Sequence, residues 1–303
     1  MKIFFSSILI GSLFFCSVAW AKVDVVTTTT TLKSLAQYIG GDRVNVISIT
    51  KGSQDPHYIE AKPSYMVKLR GAELLMVVGL DLEVGWIDNI ARGSRNPKVL
   101  PGNLGYFNAG LMIHPIEVPE GRIDRSLGDI HPGGNPHFYL DPKRMKKIAK
   151  MLSLRLSALD PEGKKDYENN LKVFETQVNK KLLSWKDRVK GASVKKVITY
   201  HRTINYFLNR FGVKFAAAIE SKPGVPPTAK QILSLIKLIK AQKIKCILVE
   251  SFFELKAAQR IQKDTNVKVI RVPVEVDALP NTSSYFDLIE NLVQAIETCG
   301  EVK

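Results

Sequence analysis

The sequence predicts an α/β protein: two βα lobes, each on a parallel four-stranded sheet, joined by one long rigid helix. Three observations lead there. Short β-branched runs alternate with helical periodicity through the first half of the chain, and the same alternation resumes after residue 191. Between them, roughly thirty residues carry an apolar repeat at helical spacing.

Residues 1–21 read as a leader. Lys2 is followed by an apolar stretch over 3–15 and by Ala19-Trp20-Ala21, the small-x-small pattern after which a signal peptidase cuts. The mature chain is expected to start at Lys22 and to be periplasmic. Cys16 follows the bulky Phe15, where lipid-attachment sequences carry a small residue, so free diffusion is expected rather than a lipid anchor. No later segment approaches the roughly 18–20 apolar residues of a membrane helix.

Strand runs at 23–29, 44–50 and 74–79 lead into helical patterns at 32–39, 64–70 and 84–91. Residues 101–136 break this rhythm with glycine and proline throughout and read as a long loop, functional or mobile. The helix over 142–158 opens on Pro142, suited to a first turn, with Ile148, Leu152 and Leu156 near one face. Asp160, Pro161 and Glu162 then form an N-cap, an N1 proline and a first-turn acid. The helix they open, 161–190, repeats Tyr167, Leu171, Phe174, Val178, Leu182 and Trp185, a rod of roughly 45 Å and longer than one lobe needs. Strands at 197–200, 213–219, 244–250 and 267–272 then alternate with helices at 204–211, 228–241, 255–264 and 283–298. The expected divisions are a leader over 1–21, an N-terminal lobe over 22–158, a connecting helix over 159–190 and a C-terminal lobe over 191–303.

A 303-residue chain that is 45% hydrophobic can build proper cores, which sets disorder aside. Its 44 Lys and Arg against 29 Asp and Glu leave a net charge of +15. Gathered into a stripe, that charge would point to nucleic acid or an anionic membrane. The basic residues are instead scattered over helical stretches such as 143–150 and 237–245, without interleaved aromatics, so they read as a solvated surface. Cys246 and Cys299 survive processing; in an oxidising compartment they fit either a disulfide or two separate buried thiols.

The chain has five histidines, and three occupy similar settings. His57 follows Asp55-Pro56, His137 follows Asn135-Pro136, and His201 directly follows a strand. Ligands of open parallel sheets collect beyond the carboxyl ends of strands, so all three can face one cleft. Proline fixes φ and lets such loops hold an imidazole with little entropy to lose on binding. Three neutral nitrogens suit a borderline divalent ion, and a closed tetrahedral site needs a fourth donor. Asp277, after the last strand, is the best candidate, with Glu275 as its nearest rival; Glu60 or Glu250 is placed to orient a ligand. A rival class is a zinc hydrolase using His57 and Glu60 as ligand and base. Such an enzyme keeps a position open for water, which Asp277 would close, and no His-Glu-x-x-His occurs, so the chain is read as no enzyme.

Asp55-Pro56-His57 with Pro63-Ser64, Asn135-Pro136-His137 with Asp141-Pro142, Tyr200-His201 and the late Asp277 together resemble the periplasmic solute-binding proteins of zinc and manganese ABC importers, the cluster A-I family. The stretch from Gly128 to His137 is similar to the zinc-specific AztC/ZnuA-like branch. The resemblance covers the whole mature chain. It implies that His57, His137, His201 and Asp277 chelate one ion between the lobes. It also implies that the cargo is Zn2+, since manganese members commonly carry Glu where His201 stands, with Mn2+ or Fe2+ as the alternative. An inner-membrane ABC permease is the implied partner and a periplasmic metallochaperone a further candidate; no nucleic acid is expected, and the protein is expected to be a monomer. A disulfide between Cys246 and Cys299 is implied as well.

The chain departs from many zinc members in lacking a histidine-rich loop. It has instead the Gly/Pro-rich 101–136 region with His114 and His131, and His131 lies close enough in sequence to His137 to sample the ion as an auxiliary ligand. Because a long helix between lobes resists wide hinge closure, metal exchange is expected through local motion of the loops carrying His137 and Asp277, with residues 121–136 as the gate.

Overall fold

The computed structural model describes residues 22–121, 131–220 and 224–301. The leader, its cleavage site and Cys16 lie outside the described residues, as does most of the expected gate, 122–130.

Two four-stranded sheets form the frame, and every strand pair in them is parallel. The first has the order β2-β1-β3-β4, from β1 (Val23–Thr27), β2 (Val44–Ser48), β3 (Leu74–Val77) and β4 (Tyr106–Asn108). The second repeats it as β6-β5-β7-β8, from β5 (Lys196–Thr199), β6 (Lys214–Ala218), β7 (Cys246–Glu250) and β8 (Lys268–Val272). β3 and β7 are buried along their whole length, as parallel strands covered by helices on both faces must be. In each sheet the chain changes direction between its two central strands, which opens a crevice at their carboxyl ends.

One difference from the sequence reading concerns β4, which lies inside the segment read as loop. Three residues at a sheet edge are too few to show a period. Gly105 admits β4 to the sheet, because a Cβ there would stand 2.4 Å from the carbonyl oxygen of Glu73.

The helices begin where their caps dictate. Thr29 caps α1 (Thr30–Gly40), and Asp141 caps α4 (Pro142–Leu159) through the Lys143 N–H, with Pro142 at N1. α2 (Pro63–Arg70) and α3 (Ile87–Gly93) complete the first lobe. Capping boxes start α7 (Ala229–Gln242) and α9 (Tyr285–Gly300), while α6 (Asn205–Phe211) and α8 (Lys256–Thr265) end in left-handed caps.

The long helix α5 (Lys164–Gly191) follows a short 3-10 turn over Pro161–Gly163, and its 28 residues span about 42 Å. Tyr167, Phe174, Val178, Trp185 and Val189 form its buried stripe and belong to one apolar core that runs through both lobes. Polar bonds fix it at each end. On the first lobe, Tyr38 Oη donates to Gln177 at 2.6 Å, and Asn170 donates to the Ile39 carbonyl at 3.0 Å. On the second, Trp185 Nε1 donates to Glu290 at 2.8 Å, and Arg188 grips Glu297 with two bonds of 2.8 and 2.6 Å. A disulfide between Cys246 and Cys299 ties β7 to α9 across a 53-residue span.

Candidate metal centre

Each of the three histidines singled out in the sequence is positioned by its own strand end or loop. His57 lies between β2 and α2. Its backbone N–H donates to Asp55 Oδ1 at 3.0 Å, and Trp86 Nε1 holds the loop by donating to the Pro56 carbonyl at 3.0 Å. His137 stands just before α4, its N–H donating to Asn135 Oδ1 at 3.0 Å. His201 follows β5, and its N–H donates to Glu250 at the end of β7, 3.1 Å away, at the crevice of the second sheet. Burial raises Glu250 to about 8. Of the two residues expected to orient a ligand, Glu250 accepts the His201 N–H, whereas Glu60 is exposed and faces Lys62.

The side chains converge. Ring centroids of His57 and His137 are 5.2 Å apart, those of His57 and His201 6.1 Å, and those of His137 and His201 6.3 Å. His131 joins them, its ring 5.1 Å from His57 and its Nε2 3.1 Å from His57 Nε2. Four imidazoles bound tetrahedrally at about 2.0 Å metal–nitrogen distance place their ring centres about 5.2 Å apart. The His57–His131 and His57–His137 spacings match this, and the His201 side is about an ångström wide. Accordingly, among the described residues no group of three or more His, Cys, Asp or Glu is closed tightly enough to grip an ion as it stands.

The Nδ1 atoms explain which nitrogens face inward. His57 Nδ1 is 2.6 Å from Asp55 Oδ1, His137 Nδ1 is 3.0 Å from Tyr139 Oη, and His201 Nδ1 is 3.1 Å from Glu220 Oε2. A partner on Nδ1 fixes the tautomer that leaves Nε2 as a lone-pair donor, the arrangement characteristic of metal-ligating histidine. His137 Nε2 is buried with no hydrogen-bond partner among the described residues. Burial first, and then the three neighbouring histidines, hold His137 well below the usual imidazole range, so it stays neutral and ready to donate.

A pocket of about 40 Å³ reaches this cluster, lined among others by Asp55, Tyr58, Glu220 and Phe253. Its volume suits one ion or water molecule.

Asp277 is placed differently. It is exposed, in left-handed backbone with φ of 61°, and its N–H donates to the Thr282 carbonyl at 2.8 Å. Its backbone packs on Gly52, where a Cβ would stand 2.1 Å from the Val276 carbonyl. No hydrogen bond, ion pair or ring contact among the described residues joins its carboxylate to the histidines. Glu275 is buried behind Tyr139, accepting the Thr31 N–H at 2.9 Å at the start of α1. His114 is exposed.

Sequence reasoning missed Tyr139 and Glu220 as partners of the histidines. Tyr139 carries a local signal, two residues beyond His137, mirroring Asp55 two residues before His57. Glu220, at the end of β6, carries none.

Comparison with known proteins gives a consistent picture. The family described as "Zinc-uptake complex component A periplasmic", ZnuA, matches residues 25–299. The manganese ABC transporter substrate-binding lipoprotein PsaA of Streptococcus pneumoniae serotype 4 is 27% identical over 253 residues, covering 82% of this chain and 78% of its own. The iron ABC transporter substrate-binding lipoprotein MtsA of Streptococcus pyogenes serotype M1 shows the same identity and coverage. Among solved structures, a crystal structure of ZnuA superimposes with a TM-score of 0.77 at 21% identity, covering 92% of this chain and all of that one.

Proposed function

Because the chain belongs to the ZnuA family of periplasmic metal-binding proteins, the substrate-binding components of ABC importers, we propose that it captures Zn2+ in the periplasm and delivers it to an inner-membrane permease. It is a binding protein and not an enzyme. The observation that carries the zinc reading is the convergence of imidazoles, three of which have Nδ1 occupied and so turn Nε2 toward the cluster. Nitrogen-rich sites suit zinc, and oxygen-rich ones suit manganese.

In this reading the ligands are His57, His137, His201 and, in the fourth place, His131 rather than Asp277. The 3.1 Å separation of the His57 and His131 Nε2 atoms is close to that of two nitrogens on one tetrahedral ion, about 3.3 Å. The proton they now share would give way to the metal. Closing the His201 side by about an ångström then completes the shell.

The names of the relatives favour a second reading, manganese or iron(II) as cargo. Competition titrations against a chelator of known affinity separate the two. Zn2+ should bind at least 100-fold more tightly than Mn2+, and His201→Glu should narrow that ratio. His131→Ala should weaken zinc binding by tenfold or more, whereas Asp277→Ala should leave it within about twofold. The opposite pattern would restore Asp277 as the fourth ligand, and stronger Mn2+ than Zn2+ binding in the wild type would overturn the zinc reading.

A further inference from the structure

Glu117 stands outside the ligand set, in left-handed backbone with φ of 55°, a conformation uncommon for a glutamate. Its carboxylate meets both lobes. Oε2 accepts from Asn135 Nδ2 at 2.9 Å, and Oε1 accepts from Asn205 Nδ2 at 2.7 Å and from Arg202 at 3.3 Å. Asn135 lies two residues before His137. Arg202 follows His201 directly, and Asn205 opens α6 four residues beyond it.

The surrounding bonds join the same segments. Asn135 Nδ2 also donates to the Arg202 carbonyl at 3.0 Å. Tyr206 Oη donates to the Asn135 carbonyl at 2.7 Å and accepts the Ile116 N–H at 3.0 Å. The Asn135 N–H donates to the Ile116 carbonyl at 2.9 Å. Gly134, with φ of 95°, passes so close that a Cβ would stand 2.9 Å from the Ile116 carbonyl oxygen.

An asparagine amide has one accepting and one donating end, and its neighbours decide which way it points. Two acceptors, the Glu117 carboxylate and the Arg202 carbonyl, draw Asn135 Nδ2 toward the second lobe. Oδ1 is thereby turned to the His137 N–H, which it accepts. Glu117 thus fixes the backbone of one ligand through Asn135 and holds the segment of another through Arg202 and Asn205.

We propose that Glu117 is a positioning residue of the metal centre, a carboxylate latch that aligns the His137 segment of the first lobe with the His201 segment of the second. This rests on the metal reading above. The latch lies on the side of the site where the rings stand widest apart, so it bears on how far His201 can open.

The test uses the mature chain and its Glu117→Ala and Glu117→Gln variants. Three quantities are read: Zn2+ affinity by chelator competition, the visible absorption of bound Co2+, and the melting temperature of the metal-free protein. Glu117→Ala should lose zinc affinity by tenfold or more, the range for residues that orient ligands. Its Co2+ bands should shift or weaken as the tetrahedral field loosens. Glu117→Gln, which keeps one accepting oxygen, should lose less. Wild-type affinity and an unchanged Co2+ spectrum in both variants, whatever their melting temperatures, would overturn the latch. Should the alanine variant fail to fold, unchanged affinity and spectrum in Glu117→Gln would overturn it alone. A wild-type chain that takes up neither Zn2+ nor Co2+ would overturn the metal reading and the latch together.

Discussion

Tyr139 shows how much a single side chain does at this site. In the proposed centre Nε2 of His137 turns to the ion, so that Nδ1 carries the proton and Tyr139 Oη accepts it. Burial first, and then the Glu275 carboxylate, hold the phenol well above its usual range, so it remains a neutral partner. Tyr139→Phe leaves a buried N–H unpaired and frees the ring to turn. Zinc affinity should fall by about 10- to 100-fold in a chelator competition, while far-UV circular dichroism stays that of the wild type. His57 and His137 were legible in the sequence because a rigid Asx-Pro step precedes each, and His201 because it ends a β-branched run. His131 was legible only as an auxiliary, since nothing local sets its distance to His57. Glu220 was not legible at all, because only the pairing of β5 with β6 brings it to His201.

At the scale of elements, the start of α4 holds two duties in one residue. Asp141 caps the helix through the Lys143 N–H at 2.9 Å, and it also receives two bonds of 2.7 Å from Arg210 of α6, in the other lobe. The sequence displayed the Pro142 start but gave no sign of the second bond, which depends on how α6 docks. Burial pushes Asp141 up, yet the bonds and charge of Arg210, with help from Lys143 and Arg144, outweigh it and hold the carboxyl below its usual value. The folded form therefore releases this proton more readily than the unfolded chain. Its contribution is complete above about pH 4, where the unfolded carboxyl is ionised, and is lost as pH falls through the lower folded value. Arg210→Met leaves the buried carboxylate short of its main partner. It should cost about 3 kcal/mol in urea unfolding at pH 7 and flatten the acid-side loss of stability below pH 4. Strand existence was equally readable from period and composition everywhere but at β4, whose pairing rests on a glycine contact rather than on a pattern.

For the whole molecule, α5 decides what motion is available. Its two halves are fixed to different lobes by buried aromatic packing and by charged bonds, and Asp141 with Arg210 adds a second tie beside the cleft. Closing by a wide hinge would break several of these at once. Small-angle scattering of the metal-free and zinc-loaded chain should therefore give the same radius of gyration, about 19 Å, to within about 1 Å. A contraction of several ångströms on loading would show that the helix bends after all. The two-lobe plan was the most legible feature of the sequence, because thirty residues at helical spacing between two alternating blocks admit few other arrangements. That the lobes touch so extensively away from α5 was not legible, since those contacts join residues more than sixty positions apart.

The partners of the imidazoles have a further consequence, for electroneutrality. The proposed shell of four neutral rings would leave the charge of a dication uncompensated at the metal itself, inside a chain that already carries +15. Asp55 and Glu220 sit one hydrogen bond behind His57 and His201, so two carboxylates would face the two positive charges of a bound ion across the rings. A centre so built would balance a divalent ion without placing any oxygen on it. A monovalent ion would leave it negative and a trivalent one positive, so in the proposed centre discrimination by valence would come from groups the metal never touches.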